Sequence, residues 1–191
     1  MNFCSNCGHP VSLQVPPGDT LPRHVCPECG SIHYQNPKII VGALAEWERR
    51  VLMCRRAIEP RYGLWTLPAG FMECGEDSLQ GALRETLEEA GARIEILGLY
   101  SVINITYVDQ IYLIYRARLL DLDFAAGEES LEVALVDEAD IPWTALAFRT
   151  VDLTLRAYFR DRRAGRFELF EATLDTRHAA PRQLVVPPAG A

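Results

Sequence analysis

The sequence predicts an α/β domain preceded by a small N-terminal segment that is rich in cysteine. Three observations predict this organisation. From residue 38 onward, short apolar runs typical of strands alternate with two helical patterns. One of those helices carries an unusual concentration of carboxylates. Residues 1–36, in contrast, are polar and turn-rich and hold two Cys-x-x-Cys-Gly sequences. The chain has 191 residues, enough for one ordinary domain with a small appendage.

Composition and charge limit the classes of partner. The net charge is −7 and the isoelectric point is near 5.1, which argues against nucleic acid or anionic membranes as partners, since both need a basic surface. No apolar run approaches the length of about eighteen residues that a membrane span needs. The N-terminus, MNFCSNCG, lacks the progression of a secretory signal. We therefore expect a cytoplasmic protein whose six cysteines are metal ligands or free thiols rather than disulfides.

The N-terminal segment has the spacing of a four-cysteine zinc ribbon, with eighteen residues between its two Cys-x-x-Cys-Gly knuckles. The four predicted ligands are Cys4, Cys7, Cys26 and Cys29. Four thiolates close the coordination shell of Zn²⁺, which makes such a site structural, and metal binding would supply the folding free energy of so small a segment. The alternatives are a redox pair or chance, but a redox knuckle starts a helix in a βαβ unit. We predict a zinc ribbon over residues 1–36, with three histidines at its surface: His9, His24 and His33.

Two apolar runs follow the ribbon and predict a pair of strands at 38–45 and 51–56, joined by a turn. The second run ends in Arg55 and Arg56. Because side chains alternate along a strand, one arginine should point to each face. One of them therefore either reaches a phosphate group of a ligand or remains a surface residue.

The segment from Asp77 to Gly91 has the start and stop signals of a helix. Asp77 can cap the first turn, with Gln80 at the third helical position, and Gly91 can end the helix in a left-handed conformation. Helical spacing predicts one buried stripe formed by Leu79, Ala82, Leu83, Thr86, Leu87 and Ala90.

The opposite face of this helix carries Glu85, Glu88 and Glu89. Glu85 and Glu89 are four residues apart, so their charges repel, and all three acids lie in the half of the helix where its dipole disfavours anions. Only Arg84 offsets this locally, while Glu73 and Glu76 add carboxylates in the loop ahead. Mg²⁺ or Mn²⁺ would offset the repulsion, because both prefer oxygen ligands. The alternative is a solvated acidic face.

Further strands are predicted at 93–100, 101–107, 110–119 and 133–136, and a helix at 149–163. Three tyrosines in this part either stack on a ligand ring or pack in the sheet: Tyr107, Tyr112 and Tyr115. Residues 167–174 predict a last strand, and the proline- and alanine-rich residues 175–191 predict a flexible tail.

Seven positions in the segment 70–91 have fixed spacings: Gly70, Glu76, Arg84, Glu85, Glu88, Glu89 and Gly91. This pattern resembles the Nudix box, and the chain is therefore similar to the Nudix hydrolase family. Thr86 and Ala92 stand where that family usually has bulky aliphatic residues, a difference that concerns packing rather than chemistry. The resemblance implies an α/β/α sandwich around a mixed sheet, over residues 37–174.

The similarity extends to the branch of the family that carries zinc ribbons. Segments similar to NADH pyrophosphatases, and more so to plant-type FAD pyrophosphatases, lie at 26–42, 63–70, 80–86, 129–132 and 141–148. The NADH-specific array Ser-Gln-Pro-Trp-Pro-Phe-Pro is absent after the box, where residues 99–107 stand instead. The resemblance therefore implies hydrolysis of a nucleoside-diphosphate-linked compound to two monophosphates, with FAD or ADP-ribose favoured over NADH. It also implies a homodimer.

The resemblance assigns roles to individual residues. The expected ligands of Mg²⁺ or Mn²⁺ are Glu85, Glu88, Glu89, Glu129 and the carbonyl of Gly70. Glu129 comes from the loop 121–130 and is preferred to Glu132. Glu88 or Glu129 is expected to accept the proton of the attacking water, with Arg84 orienting the glutamates. The residues themselves, and not the resemblance, give the candidate substrate-binding residues: Arg55, Arg56, Glu73 and Tyr107. The alternatives are a sensor that binds ADP-ribose or another nucleotide without hydrolysis, a regulator that contacts nucleic acid, and an enzyme that removes a nucleotide cap from RNA.

Overall fold

The computed structural model describes residues 1–175 and the backbone of residues 182–185. It divides the chain into a compact unit formed by Met1–Pro37 and a second unit that begins at Lys38. The first unit is a three-stranded antiparallel sheet in the order β1-β2-β3. Its strands are β1 (Ser12–Gln14), β2 (Arg23–Val25) and β3 (Ile32–His33).

The second unit is built on a mixed sheet in the order β10-β5-β4-β9-β8-β11-β12, with β6 paired to β5 and β7 paired to β4. The pairs β4–β9 and β8–β11 are parallel and the others are antiparallel. The strands are β4 (Lys38–Trp47), β5 (Arg50–Arg56), β6 (Trp65–Thr66), β7 (Ala69–Phe71), β8 (Ile94–Ile105), β9 (Gln110–Leu119), β10 (Ser130–Val136), β11 (Phe170–Leu174) and β12 (Arg182–Val185). The helices are α1 (Ser78–Ala90) and α2 (Arg149–Ala164), and single 3₁₀ turns lie at Glu138–Asp140 and Trp143–Ala145.

Alternate residues of the central strands supply two separate cores, one on each face of the sheet. Leu44 and Met53 pack in a core with α2, which contributes residues such as Leu155. Their neighbours Ala43 and Cys54 point the other way, into a core with the end of α1. This period of two is what a sheet covered on both faces requires. The structure therefore confirms the predicted α/β/α sandwich with a mixed sheet.

The buried face of α1 differs from the predicted stripe. Leu79 and Leu87 are exposed, whereas Glu85 and Glu89 are buried together with the small residues of the helix. The small residues let α1 approach the sheet closely; a Cβ placed at Gly81 would lie 2.6 Å from the Val41 side chain. The prediction is confirmed for Ala82, Thr86 and Ala90, which are buried, and wrong for Leu79 and Leu87. It assumed that the carboxylates face water, whereas here protein groups hydrogen-bond to Glu85 and Glu89.

The strands predicted at 93–100 and 101–107 form one strand, β8. Its pairing with β9 shifts register between Ile96 and Gly98 and again between Leu99 and Ser101. Each shift is a bulge that interrupts the alternation of side chains. These irregularities explain why the sequence pattern predicted a break.

Only part of the predicted flexible tail, 175–191, is described. Arg182–Val185 forms β12, a strand that the prediction did not include, and pairs antiparallel with β11. Asp175 is also described, and the rest of the prediction lies outside the described residues. No helix of the described part of the chain is both long enough and apolar enough to cross a membrane.

Candidate active site

The helix that carries the acids is fixed at both ends as predicted. The Asp77 side chain accepts a hydrogen bond from the Gln80 backbone, and the Gln80 side chain accepts one from the Asp77 backbone, which completes a capping box. Gly91 ends the helix with φ near 60°, in the left-handed region that glycine tolerates. These caps fix which residues of α1 face the sheet.

Two of the three helical glutamates are buried. Glu85 is 8% exposed and Glu89 is 6% exposed, whereas Glu88 lies at the surface. Burial raises the pKa of Glu89 to about 8, against the hydrogen bond that it accepts from the Ala69 backbone at 3.2 Å. Burial also raises the pKa of Glu85, and the charge of Arg84 opposes this shift. The charged form of both carboxylates is therefore incompletely stabilised by the surrounding protein, and a bound divalent cation would stabilise it.

Arg84 holds three of the acids in place. Its guanidinium forms a bidentate pair with Glu76, at 3.0 and 2.7 Å. One terminal nitrogen also donates to Glu85 at 2.7 Å and to Glu88 at 3.0 Å, and the other donates to the Phe71 carbonyl at 3.1 Å. The hydrogen bond and charge of Arg84 lower the pKa of Glu76 to about 2. Arg84 therefore orients the carboxylates and has no donor left for a ligand.

Gly70, in the middle of β7, lies against the Glu85 side chain. A Cβ at this position would lie 2.4 Å from both carboxylate oxygens of Glu85. Only glycine leaves that space open, so the backbone of residue 70 and the Glu85 carboxylate lie beside one another.

A second loop, between β9 and β10, brings Glu129 to the same place. It docks on the last turn of α1, where the backbone nitrogens of Ala125 and Gly127 donate to the Ala90 and Glu89 carbonyls, both at 3.0 Å. These bonds satisfy carbonyls that a helix end would otherwise leave unpaired. The backbone of Glu129 is fixed further by a 2.8 Å bond from the Ala57 nitrogen to its carbonyl.

These elements enclose a cavity of about 740 Å³. Its lining includes Gly70, Glu73, Arg84, Glu85, Glu88, Glu89 and Glu129, all of them predicted site residues. We call Glu85, Glu88, Glu89 and Glu129 the carboxylate cluster. Arg56 also lines the cavity. Arg55 and Tyr107 are exposed and lie outside this lining, and Glu132 is exposed as well.

Phe148 and Glu128 also line the cavity, although neither is among the predicted site residues. Tyr112 lines it as well, and its sequence context allowed either a binding or a packing role. The register of β4 with β9 pairs Tyr112 with Ile40, another cavity residue. Once the pairing of β4 with β9 is known, strand alternation therefore predicts that Tyr112 lies at the cavity. For Phe148 the sequence offers no such signal, because it lies at the start of α2, far from the box along the chain.

The four cysteines of the first unit converge as predicted. One sulfur atom from each lies within 4.8 Å of the others, with distances of 3.7 Å for Cys4–Cys29, 3.5 Å for Cys7–Cys26 and 3.4 Å for Cys7–Cys29. A tetrahedral zinc ion with bonds of about 2.3 Å places its sulfur ligands about 3.8 Å apart. The donor set therefore fits Zn²⁺. One of the histidines expected at the surface, His33, lies with its Nε2 atom 3.3 Å from the Cys4 sulfur.

The sandwich, the cavity and the carboxylates on a capped helix are features of the Nudix class, and the chain belongs to the Nudix family. Residues 36–153 match the model of the NUDIX domain, and residues 2–35 match the model described as Nudix N-terminal.

Among solved structures, a Nudix hydrolase from Nitrosomonas europaea is 55% identical, with a TM-score of 0.86, and the match covers 91% of this chain and 100% of that one. The NAD-capped RNA hydrolase NudC of Chromobacterium violaceum is 33% identical over 97 residues, which are 50% of this chain and 34% of NudC. The ADP-ribose pyrophosphatase of Methanocaldococcus jannaschii is 26% identical over 113 residues, which are 57% of this chain and 67% of that enzyme. The chain thus spans about a third of the length of NudC.

Proposed function

We propose that this protein is a metal-dependent pyrophosphohydrolase that splits a nucleoside-diphosphate-linked compound into two monophosphates, with ADP-ribose and FAD as the favoured substrates. The observation that carries the proposal is the convergence of the carboxylate cluster in one cavity, with two of its members buried. A cluster of this kind is unfavourable for folding alone, since burial and mutual repulsion disfavour its charged form. It is favourable where cations and a phosphate-bearing ligand complete it.

The chain's own residues divide the work. We expect Glu85, Glu89 and the Gly70 carbonyl to hold Mg²⁺ or Mn²⁺, together with Glu88, which accepts a hydrogen bond from Arg84. Such ions, when bound, neutralise charge on a diphosphate and make water a better nucleophile. Glu129 is the better candidate for the proton acceptor, because it makes no ion pair with any described residue, whereas Glu88 accepts a hydrogen bond from Arg84.

The choice of substrate rests on the relatives and on the sequence. An ADP-ribose pyrophosphatase and an NAD-capped RNA hydrolase are among the relatives, which supports a substrate with an ADP moiety. The NADH-specific array is absent from the chain, which favours ADP-ribose and FAD over NADH. The net charge of −7 argues against a long RNA substrate.

A substrate panel tests the proposal. Purified protein is incubated with Mg²⁺ or Mn²⁺ and with ADP-ribose, FAD, NADH, coenzyme A, nucleoside triphosphates or a short NAD-capped RNA, and the products are identified by mass. We expect AMP and ribose 5-phosphate from ADP-ribose, and AMP and FMN from FAD. Binding of ADP-ribose without turnover under any of these conditions would refute the proposal and indicate a sensor.

A further inference from the structure

The adjacent residues Arg55 and Arg56 have opposite environments. Arg55 is exposed, donates from Nε to the Gly63 carbonyl at 2.9 Å and lies 3.8 Å from Glu132 in an ion pair. Arg56 is 9% exposed, lines the cavity and donates from Nε to the Pro60 carbonyl, also at 2.9 Å. The two side chains therefore support the same loop through the same atom. They differ in what surrounds the rest of the guanidinium.

The guanidinium of Arg56 is buried without a carboxylate partner. Its carbon lies 5.2 Å from the centre of the Phe148 ring, a distance at which cation and ring attract. Its two terminal nitrogens make no hydrogen bond, and its charge no ion pair, with any described residue. The charge of Arg56 does act on Glu89, whose pKa it lowers against the effect of burial, but no protein acceptor uses the two terminal nitrogens. Unused cationic donors in the lining of a cavity favour an anionic ligand there.

The other arginine in the cavity lining cannot serve this purpose. All the donor atoms of Arg84 are used by Glu76, Glu85, Glu88 and the Phe71 carbonyl. Among the described lining residues, Arg56 is thus the cation with donors to spare. Tyr112 and Phe148 line the same cavity.

We propose that Arg56 binds a phosphate group of the substrate through its two terminal nitrogens, while Phe148 holds the guanidinium plane in place. The inference rests on the proposed function and adds to it a residue that recognises the phosphate from outside the carboxylate cluster. Planar arginine matches two phosphate oxygens at once, which a lysine ammonium does not. Arg55, although adjacent, takes no part in binding.

The test compares Arg56→Gln and Arg56→Lys with the matched control Arg55→Gln. Glutamine keeps a donor that can reach the loop carbonyl and removes the charge in either position. KM for ADP-ribose with Mg²⁺ and the dissociation constant of AMP are measured for each variant, and thermal unfolding checks that each one is folded. Loss of two charge-assisted hydrogen bonds predicts a rise of roughly 100-fold or more in both constants for Arg56→Gln. For Arg55→Gln we expect a change of roughly twofold or less.

Equal effects of Arg55→Gln and Arg56→Gln would overturn the inference, because they would indicate that both arginines only support the loop. Arg56→Lys is expected to bind AMP at least about fivefold more weakly than the native protein, and it decides the matter if Arg56→Gln does not fold. Unchanged AMP binding by Arg56→Lys would then count against the inference. Failure of the native protein to hydrolyse any compound of the panel would refute the proposed function instead. The dissociation constants of AMP would still show whether Arg56 binds a phosphate group.

Discussion

Gly127→Ala tests how Glu129 is positioned. A Cβ at residue 127 would lie 1.8 Å from the Glu88 carbonyl oxygen and 2.9 Å from the carbon of the same carbonyl. Both atoms belong to the backbone of α1 and cannot turn aside as a side chain does. The loop must therefore move away from the helix, which breaks the 3.0 Å hydrogen bonds from Gly127 and Ala125 to the last turn.

The size of the effect follows from these two bonds. At roughly 0.5–1.5 kcal/mol for each net hydrogen bond, the free energy of unfolding should fall by roughly 1–3 kcal/mol. For a domain of this length, each kcal/mol lowers Tm by about 2–4 °C, so we expect a loss of roughly 2–12 °C. Displacement of Glu129 by about 1 Å should also lower kcat by roughly 10- to 100-fold, since catalytic groups tolerate little misplacement.

The assay is thermal unfolding together with steady-state hydrolysis of ADP-ribose. Ala126→Ser is the control, because residue 126 is the exposed neighbour of Gly127 in the same loop. The control should match the native protein in both measurements. A Gly127→Ala variant with native Tm and native kcat would show that the loop is not held as described.

Three further predictions concern other parts of the site. In Gly70→Ala the new Cβ would lie 2.4 Å from the Glu85 carboxylate, which can shift because it is the end of a flexible side chain. We therefore expect kcat to fall at least about tenfold while Tm changes by only a few degrees. A larger loss of Tm than in Gly127→Ala would contradict this expectation. In Glu89→Gln, kcat should fall by orders of magnitude without unfolding. Burial raises the pKa of Glu89 from 4.5 to about 8 in the folded protein. The contribution of Glu89 to the stability of the metal-free protein should therefore be largest below about pH 4.5 and should be lost as the pH rises through 8. Denaturant titrations give the free energy of unfolding at pH 5 and pH 8, and its change between the two pH values should be smaller for Glu89→Gln than for the native protein. An equal change in both proteins would exclude Glu89 as the cause of the pH dependence. In Cys26→Ser, loss of a sulfur ligand should unfold residues 1–37 and leave the second unit folded. Amide hydrogen exchange measures this, and unchanged protection from exchange in both units would argue against structural zinc.

The Nudix box was predictable because its signals are local. Asp77, Gln80 and Gly91 cap the helix through contacts within a few residues, and helical spacing brings the glutamates to one face. The side of α1 that packs on the sheet was not predictable. The pattern of leucines favoured a face with Leu79 and Leu87, whereas Glu85 and Glu89 are buried instead. The hydrogen bond to Glu89 comes from Ala69, outside the helix, and a helical pattern does not contain it.

The arginine pair shows the same limit in a strand. Alternation predicted one arginine on each face, and the structure confirms that Arg55 and Arg56 point apart. Which of them faces the cavity depends on the pairing of β5 and on the position of Phe148, neither of which a sequence pattern contains. Likewise, the cysteine spacing predicted the cluster of four sulfur atoms, but the contact between His33 and Cys4 appears only when β3 is folded against the knuckle.

The two bulges of β8 have a consequence for solubility. On the side away from β9, β11 pairs with β8 only from Ser101 to Ile105, so among the described residues the first half of the strand has an open edge. That half also presents Leu97 and Leu99 to solvent. A straight, apolar, unpaired edge is a template for strands of other molecules, and an irregular edge is not. The bulges on either side of Gly98 and Leu99 therefore make this edge a poor template for the strands of other molecules.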